Sequence, residues 1–128
     1  MKRVLIADDS ATVRDYLRLL LSRQEQFAVC GEAVDGEDAV AKAKLLDPDV
    51  VLLDLAMPKM NGAQAACVLR KSNPDAHLVL STMHGDSVGR DLAAAVGVHR
   101  VISKQGGVAA LIACIEGLPE RAVSKSVN

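Results

Sequence analysis

Apolar positions along this chain fall into two alternating patterns. Short runs at 3–8, 27–34, 50–54, 77–82 and 98–103 read as strands, most of them continuously apolar, as strands covered on both faces should be. Longer stretches of helical period lie between them. After Ser10, a good N-cap, Val13, Leu17, Leu20 and Leu21 form one apolar stripe. Residues 36–46 are alanine-rich and stop before Pro48, and 61–72 stop before Pro74. Residues 87–96 end against Gly97, a residue suited to follow a helix C-terminus. In 107–118, Val108, Leu111, Ile112 and Ile115 recur at helical spacing. Strands alternating with helices predict an α/β fold, an open doubly wound sheet of five parallel strands with five helices on its two faces. The expected domain covers 1–118. Residues 119–128, polar and aperiodic, read as a tail or the start of a linker.

Composition narrows the function. With 50% hydrophobic and 24% charged residues over 128 positions, the chain is neither disordered nor of low complexity. Fifteen basic against sixteen acidic residues give a net charge of -1, which argues against direct contact with nucleic acid or an anionic membrane. Trp is absent and there is one Phe and one Tyr, so the stacking platforms of single-strand binders are missing too. Cys30, Cys67 and Cys114 lie far apart in apolar stretches with no C-x-x-C pair, which suits small buried hydrophobes in a reducing cytoplasm. The N-terminus reaches acid after a short apolar run, unlike a signal peptide, and no stretch approaches the ~20 apolar residues of a membrane span. A soluble cytoplasmic domain is expected.

In open α/β sheets, ligands bind beyond the carboxyl ends of the strands. The first strand delivers Asp8-Asp9 there, the third Asp54, the fourth Ser81-Thr82 and the fifth Ser103-Lys104. Taken singly, each has an ordinary explanation: a helix-capping acid, a loop aspartate, a strand-end hydroxyl, a solvated lysine. Together they converge three carboxylates, hydroxyls and an ammonium on one edge. Mutually repelling carboxylates are reconciled by a hard divalent cation such as Mg²⁺, bound through carboxylates, a backbone carbonyl and retained waters. Beside such an ion a carboxylate can attack phosphorus and become an aspartyl phosphate. Strand alternation points Ser81 opposite to Thr82, which favours Thr82 as the working hydroxyl. His77, His84 and His99 have no metal-ligand spacing, and His84 is expected near the rim of the site.

Asp8-Asp9-Ser10 after the first strand and Leu53-Asp54-Leu55-Ala56-Met57-Pro58-Lys59-Met60-Asn61-Gly62 after the third resemble a response-regulator receiver domain, and Ser81-Thr82-Met83-His84 resembles receivers of the LuxR-type DNA-binding class. Thr82 and Lys104 stand where that family has its hydroxyl and lysine. The resemblance covers 1–118 and implies a flavodoxin-like sheet of order 2-1-3-4-5. It implies that Asp54 accepts phosphate from a sensor histidine kinase. Asp9, Asp54 and the backbone carbonyl of Ala56 would hold Mg²⁺, with Asp8 acting mostly through water. Thr82 would swing toward the phosphoryl group and Lys104 would pair with it. A phosphorylation-dependent homodimer is among the partners the resemblance raises. Pro58 and Gly62 are expected to shape the loop, Gly62 by permitting a tight turn.

Three positions depart from the family pattern. Val101 replaces a frequent aromatic residue, Gln105 replaces a proline that often follows the lysine in a cis peptide, and Met83 replaces a small residue. A stand-alone phosphorelay or shuttle receiver is the alternative to the regulatory part of a two-component response regulator. An aspartyl-nucleophile phosphohydrolase is remote, because Ala56 occupies the place of its general acid.

Overall fold

The structure, a computed structural model, describes residues 1–82, 100–103 and 107–118, with 82, 100–103 and 107–109 described by backbone alone. Five strands, β1 (Lys2–Ala7), β2 (Phe27–Ala33), β3 (Val50–Asp54), β4 (His77–Thr82) and β5 (Arg100–Ser103), form one parallel sheet of order β2-β1-β3-β4-β5. This is the expected order. Four helices are described: α1 (Ala11–Ser22), α2 (Gly36–Leu46), α3 (Gly62–Ser72) and α4 (Gly107–Glu116). The helix expected at 87–96 and the tail at 119–128 lie outside the described residues.

Strand alternation divides the core in two. Leu5, Ala7, Val51, Leu53, Leu78 and Leu80 face one side, where Ala39 and Ala43 of α2 and Ala65, Ala66 and Leu69 of α3 cover them. Val4, Ile6, Val50, Leu52 and Val79 face the other, packed with Leu21 of the α1 stripe and with Leu111 and Ile115 of α4. Alanine at the facing positions of α2 and α3 lets those helices lie close to the sheet and to each other. No described helix is long and apolar enough to cross a membrane.

Element ends differ from expectation for local reasons. β1 stops at Ala7 because the Asp8 carboxylate accepts the Ser10 N–H at 2.9 Å and turns the chain toward α1. β2 stops at Ala33 because the Val34 N–H goes to Asp38 at 3.0 Å instead of a strand neighbour. As an edge strand, β2 buries only its two terminal residues. α3 begins at Gly62, with Asn61 as its cap. α4 stops at Glu116, and the Gly117 and Leu118 N–H groups close a final turn onto Ala113 and Ile115. The cysteine expectation needs correction as well. Cys67 is exposed, on the outward side of α3, while Cys30 and Cys114 are half-buried at the rim of the packing.

Candidate functional site

β1 and β3 are neighbours in the sheet, paired from Val4 with Val50 to Ala7 with Leu53. Their carboxyl ends therefore emerge side by side. Asp8 is 3% exposed and Asp54 5%, whereas Asp9 is open to solvent. One carboxylate oxygen from each of the three lies within 4.8 Å of the others. Two strands, adjacent only through the sheet order, thus make one acidic cluster with a single wet side.

The loop after Asp54 is fixed at many points. The Leu55 N–H donates to Ser81 at 2.8 Å and the Gly62 N–H returns to Leu55 at 3.0 Å. The Gly36 N–H at the start of α2 donates to the Met60 carbonyl at 2.9 Å. Met57 points into the core, 8% exposed. Lys59 adopts φ 65°, and its Nζ lies 3.8 Å from Asp35 Oδ2. Ala56 is exposed, and its N–H approaches Asp54 Oδ1 at 3.4 Å. Asn61 and Gln64 close a reciprocal capping box at 2.8 and 2.9 Å that starts α3. Gly62 does not serve as a turn residue of left-handed φ. A β-carbon there would stand 2.4 Å from the Asp54 carbonyl oxygen, so the requirement is close backbone approach.

Asp8, Asp9 and Asp54 are therefore brought together, and Ala56 lies beside Asp54 through its N–H. Thr82 ends β4, one residue past Ser81, which pairs with Asp54; its side chain lies outside the described residues. Ser103 pairs with Thr82 at the end of β5, and Lys104 follows outside the described residues, as do Met83, His84 and Gln105. The Lys104–Gln105 peptide, whose isomer the family pattern put in question, is outside them too. Among residues missed by sequence reasoning, the Asn61-x-x-Gln64 spacing was a legible signal. Gly36 and the pair Arg14–Glu32, 3.2 Å apart between α1 and β2, were not, because only the strand order and register bring them near the site.

The donor set is all oxygen, rigid on its buried side and open to water on the other, which suits a hard divalent cation that keeps part of its hydration. A model of the response regulator receiver domain matches residues 4–116. The chain belongs to the response-regulator receiver family. This receiver is 38% identical over 86 residues to the transcriptional regulatory protein YdfI of Bacillus subtilis, matching 67% of this chain and 40% of that protein. It is 40% identical over 84 residues to the chemotaxis protein CheY of Thermotoga maritima, matching 66% of this chain and 69% of that one. The crystal structure of a LuxR-family two-component response regulator from Aurantimonas sp. SI85-9A1 superposes with TM-score 0.86 at 30% identity, covering 91% of this chain and 83% of that one. The receiver thus spans less than half the length of YdfI and about two-thirds of CheY.

Proposed function

We propose that this receiver is a phosphorylation switch in which Asp54 accepts a phosphoryl group from a sensor histidine kinase with Mg²⁺ bound at Asp8, Asp9 and Asp54. The observation that carries the reading is the convergence of those three carboxylates at one strand edge. Asp9, Asp54 and the Ala56 carbonyl would hold the ion, with Asp8 acting mostly through water. When bound, Mg²⁺ neutralises charge on the phosphoryl oxygens as they approach an acidic site. A carboxylate oxygen of Asp54 attacks phosphorus, the P–N bond to the kinase histidine breaks, and an acyl phosphate forms on Asp54. Burial of Asp54 and the fixed loop beside it hold that oxygen in place, so positioning supplies much of the rate. Thr82 and Lys104 then contact the phosphoryl oxygens and turn chemistry into a conformational change. The protein is a phosphoacceptor that assists its own phosphorylation and is otherwise no enzyme; Ala56 offers no general acid for a phosphohydrolase.

The phosphorylated form acts in the cytoplasm as the regulatory part of a two-component response regulator, through a homodimer or a partner domain. Similarity to YdfI and to a LuxR-family regulator supports a transcriptional output, and similarity to CheY supports a stand-alone receiver. Reading the gene downstream of Asn128 separates these two. The phosphoacceptor reading is tested with Mg²⁺ and acetyl phosphate. Intact mass should show one hydroxylamine-labile phosphoryl adduct on the wild type and none on Asp54→Asn. An equal adduct on Asp54→Asn overturns it.

A further inference from the structure

We propose that Arg14, anchored by Glu32, is a positioning residue that fixes the Asp8–Asp9 peptide and so aims the Asp9 carboxylate into the cation site. The inference rests on the reading of Asp8, Asp9 and Asp54 as that site. Three hydrogen bonds among the described residues help hold Asp8. Its N–H donates to Ala33 at 3.0 Å, its carboxylate accepts the Ser10 N–H at 2.9 Å, and its carbonyl accepts Arg14 Nη1 at 2.6 Å. Asp9 is different. Among the described residues its side chain accepts no hydrogen bond, so its direction is set by the backbone before it.

A peptide group is planar, and holding the Asp8 carbonyl therefore also orients the Asp9 N–H and Cα. Arg14 is suited to hold it. Its side chain is 14% exposed, against 53% for Arg18 on the same helix, and it uses two edges of the guanidinium at once. Nη1 reaches the Asp8 carbonyl and Nε reaches Glu32 at 3.2 Å. Glu32 is braced in turn by Arg18 Nη1 at 2.6 Å, and its own carbonyl accepts the Lys42 ammonium. Lysine lacks the rigid planar fork, so it holds the two partners in a less fixed geometry. Since Glu32 and Asp15 together offset the charges of Arg14 and Arg18, the role of Arg14 is orientation of a ligand rather than neutralisation of the acidic cluster.

The test titrates the full chain with MgCl₂ and follows backbone amide shifts of residues 8–10 by NMR, alongside urea unfolding. Arg14→Ala should weaken Mg²⁺ binding about tenfold, the scale seen when the partner of a metal ligand is removed. Arg14→Lys should recover part of that loss, and Glu32→Gln should fall between. At saturating Mg²⁺ the rate of labelling by acetyl phosphate should return to within about twofold of wild type, because only affinity for the ion is affected. A purely structural role predicts lower unfolding midpoints with unchanged Mg²⁺ affinity. If Arg14→Ala and Glu32→Gln are folded and bind Mg²⁺ as the wild type does while Asp9→Asn binds it more weakly, the inference fails and the cation site stands. If Asp9→Asn also binds like wild type, the cation site fails and takes the inference with it. Should Arg14→Ala not fold, Arg14→Lys and Glu32→Gln carry the same comparison.

Discussion

The Gly62 α-carbon is packed so tightly on Asp54 that an added β-carbon would lie 2.4 Å from the Asp54 carbonyl oxygen and 2.9 Å from its carbonyl carbon. Neither atom can swing aside, since both belong to the last residue of a buried central strand. The Gly62 N–H reaches back to Leu55 as well, so the first turn of α3 is docked directly on the proposed phosphoacceptor. Gly62→Ala should therefore cost about 1–3 kcal/mol by overpacking and slow phosphorylation by displacing Asp54. Gly31→Ala is the control. Its nearest neighbour is the tip of Leu46, at 2.6 Å, which can rotate away. Urea unfolding should show a loss within about 0.5 kcal/mol for Gly31→Ala, and equal losses in the two variants refute the close-approach account.

Asn61 ties the same loop to α3 through its capping box with Gln64. Asn61→Ala removes the acceptor for the Gln64 N–H and should destabilise the protein by about 1 kcal/mol. Gln64→Ala leaves the Asn61 side chain in place and removes only the return bond, so it should cost less. A thermal scan in which the order is reversed refutes this assignment.

The parallel sheet, its order by resemblance and the acids at its carboxyl edge were legible because they depend on local signals: apolar runs, helix stops, and residues directly after strands. Asp8 and Asp54 needed no knowledge of packing to be placed at one edge. Other features depended on register and approach distances, which leave little trace in a single sequence. Gly62 illustrates this, since its presence after Asn61 suggested a turn whereas its role is to admit the Asp54 carbonyl. Arg14 and Glu32 are eighteen positions apart and meet only because β2 lies beside β1. Cys67 misled for the opposite reason, its apolar sequence neighbours belonging to the buried side of a helix whose outer side it occupies.

The cysteines should differ in chemistry. Burial pushes the Cys30 thiol up, Arg3 opposing in part, and its Sγ lies 3.5 Å from the Val4 carbonyl. Cys67 is exposed and should be alkylated first at neutral pH, with Cys30 slowest, as peptide mapping of a time course would show. A stability consequence follows from the same shift. Above the ordinary thiol value of about 8.5, the unfolded chain loses its Cys30 proton while the folded chain keeps it. The unfolded state then binds fewer protons, so this contribution to stability is full below that value and is lost as pH rises through the folded-state pKa. Cys30→Ala should show a shallower fall in urea midpoint than wild type on moving into the alkaline range, and parallel curves contradict the assignment.

Thr82 and Lys104 test the separation between accepting phosphate and responding to it. Thr82 ends the strand next to Asp54, one residue beyond Ser81, which pairs with Asp54 across the ladder. Strand period leads one to expect Ser81 and Thr82 on opposite faces, and the proposed switch uses the Thr82 hydroxyl. In the proposed switch the nucleophile is the Asp54 carboxylate, so neither Thr82 nor Lys104 is needed to form the P–O bond. Thr82→Ala and Lys104→Ala should therefore both take up phosphate from acetyl phosphate with Mg²⁺. On that proposal each would lose a contact made to the phosphoryl group after transfer, and for Lys104 that would be a charge-assisted hydrogen bond worth roughly 1.5–3 kcal/mol. Driving a population from 1:99 to 99:1 takes ~5.5 kcal/mol, so losing either contact should leave a mixture of inactive and active conformers. Phosphorylated variants should accordingly show amide shifts around 82–86 smaller than those of the phosphorylated wild type. Ser81→Ala, on the other face, should respond fully. Shifts in both Thr82→Ala and Lys104→Ala as large as in wild type, at matched phosphorylation by intact mass, would show that the response is carried by Asp54 and the metal alone.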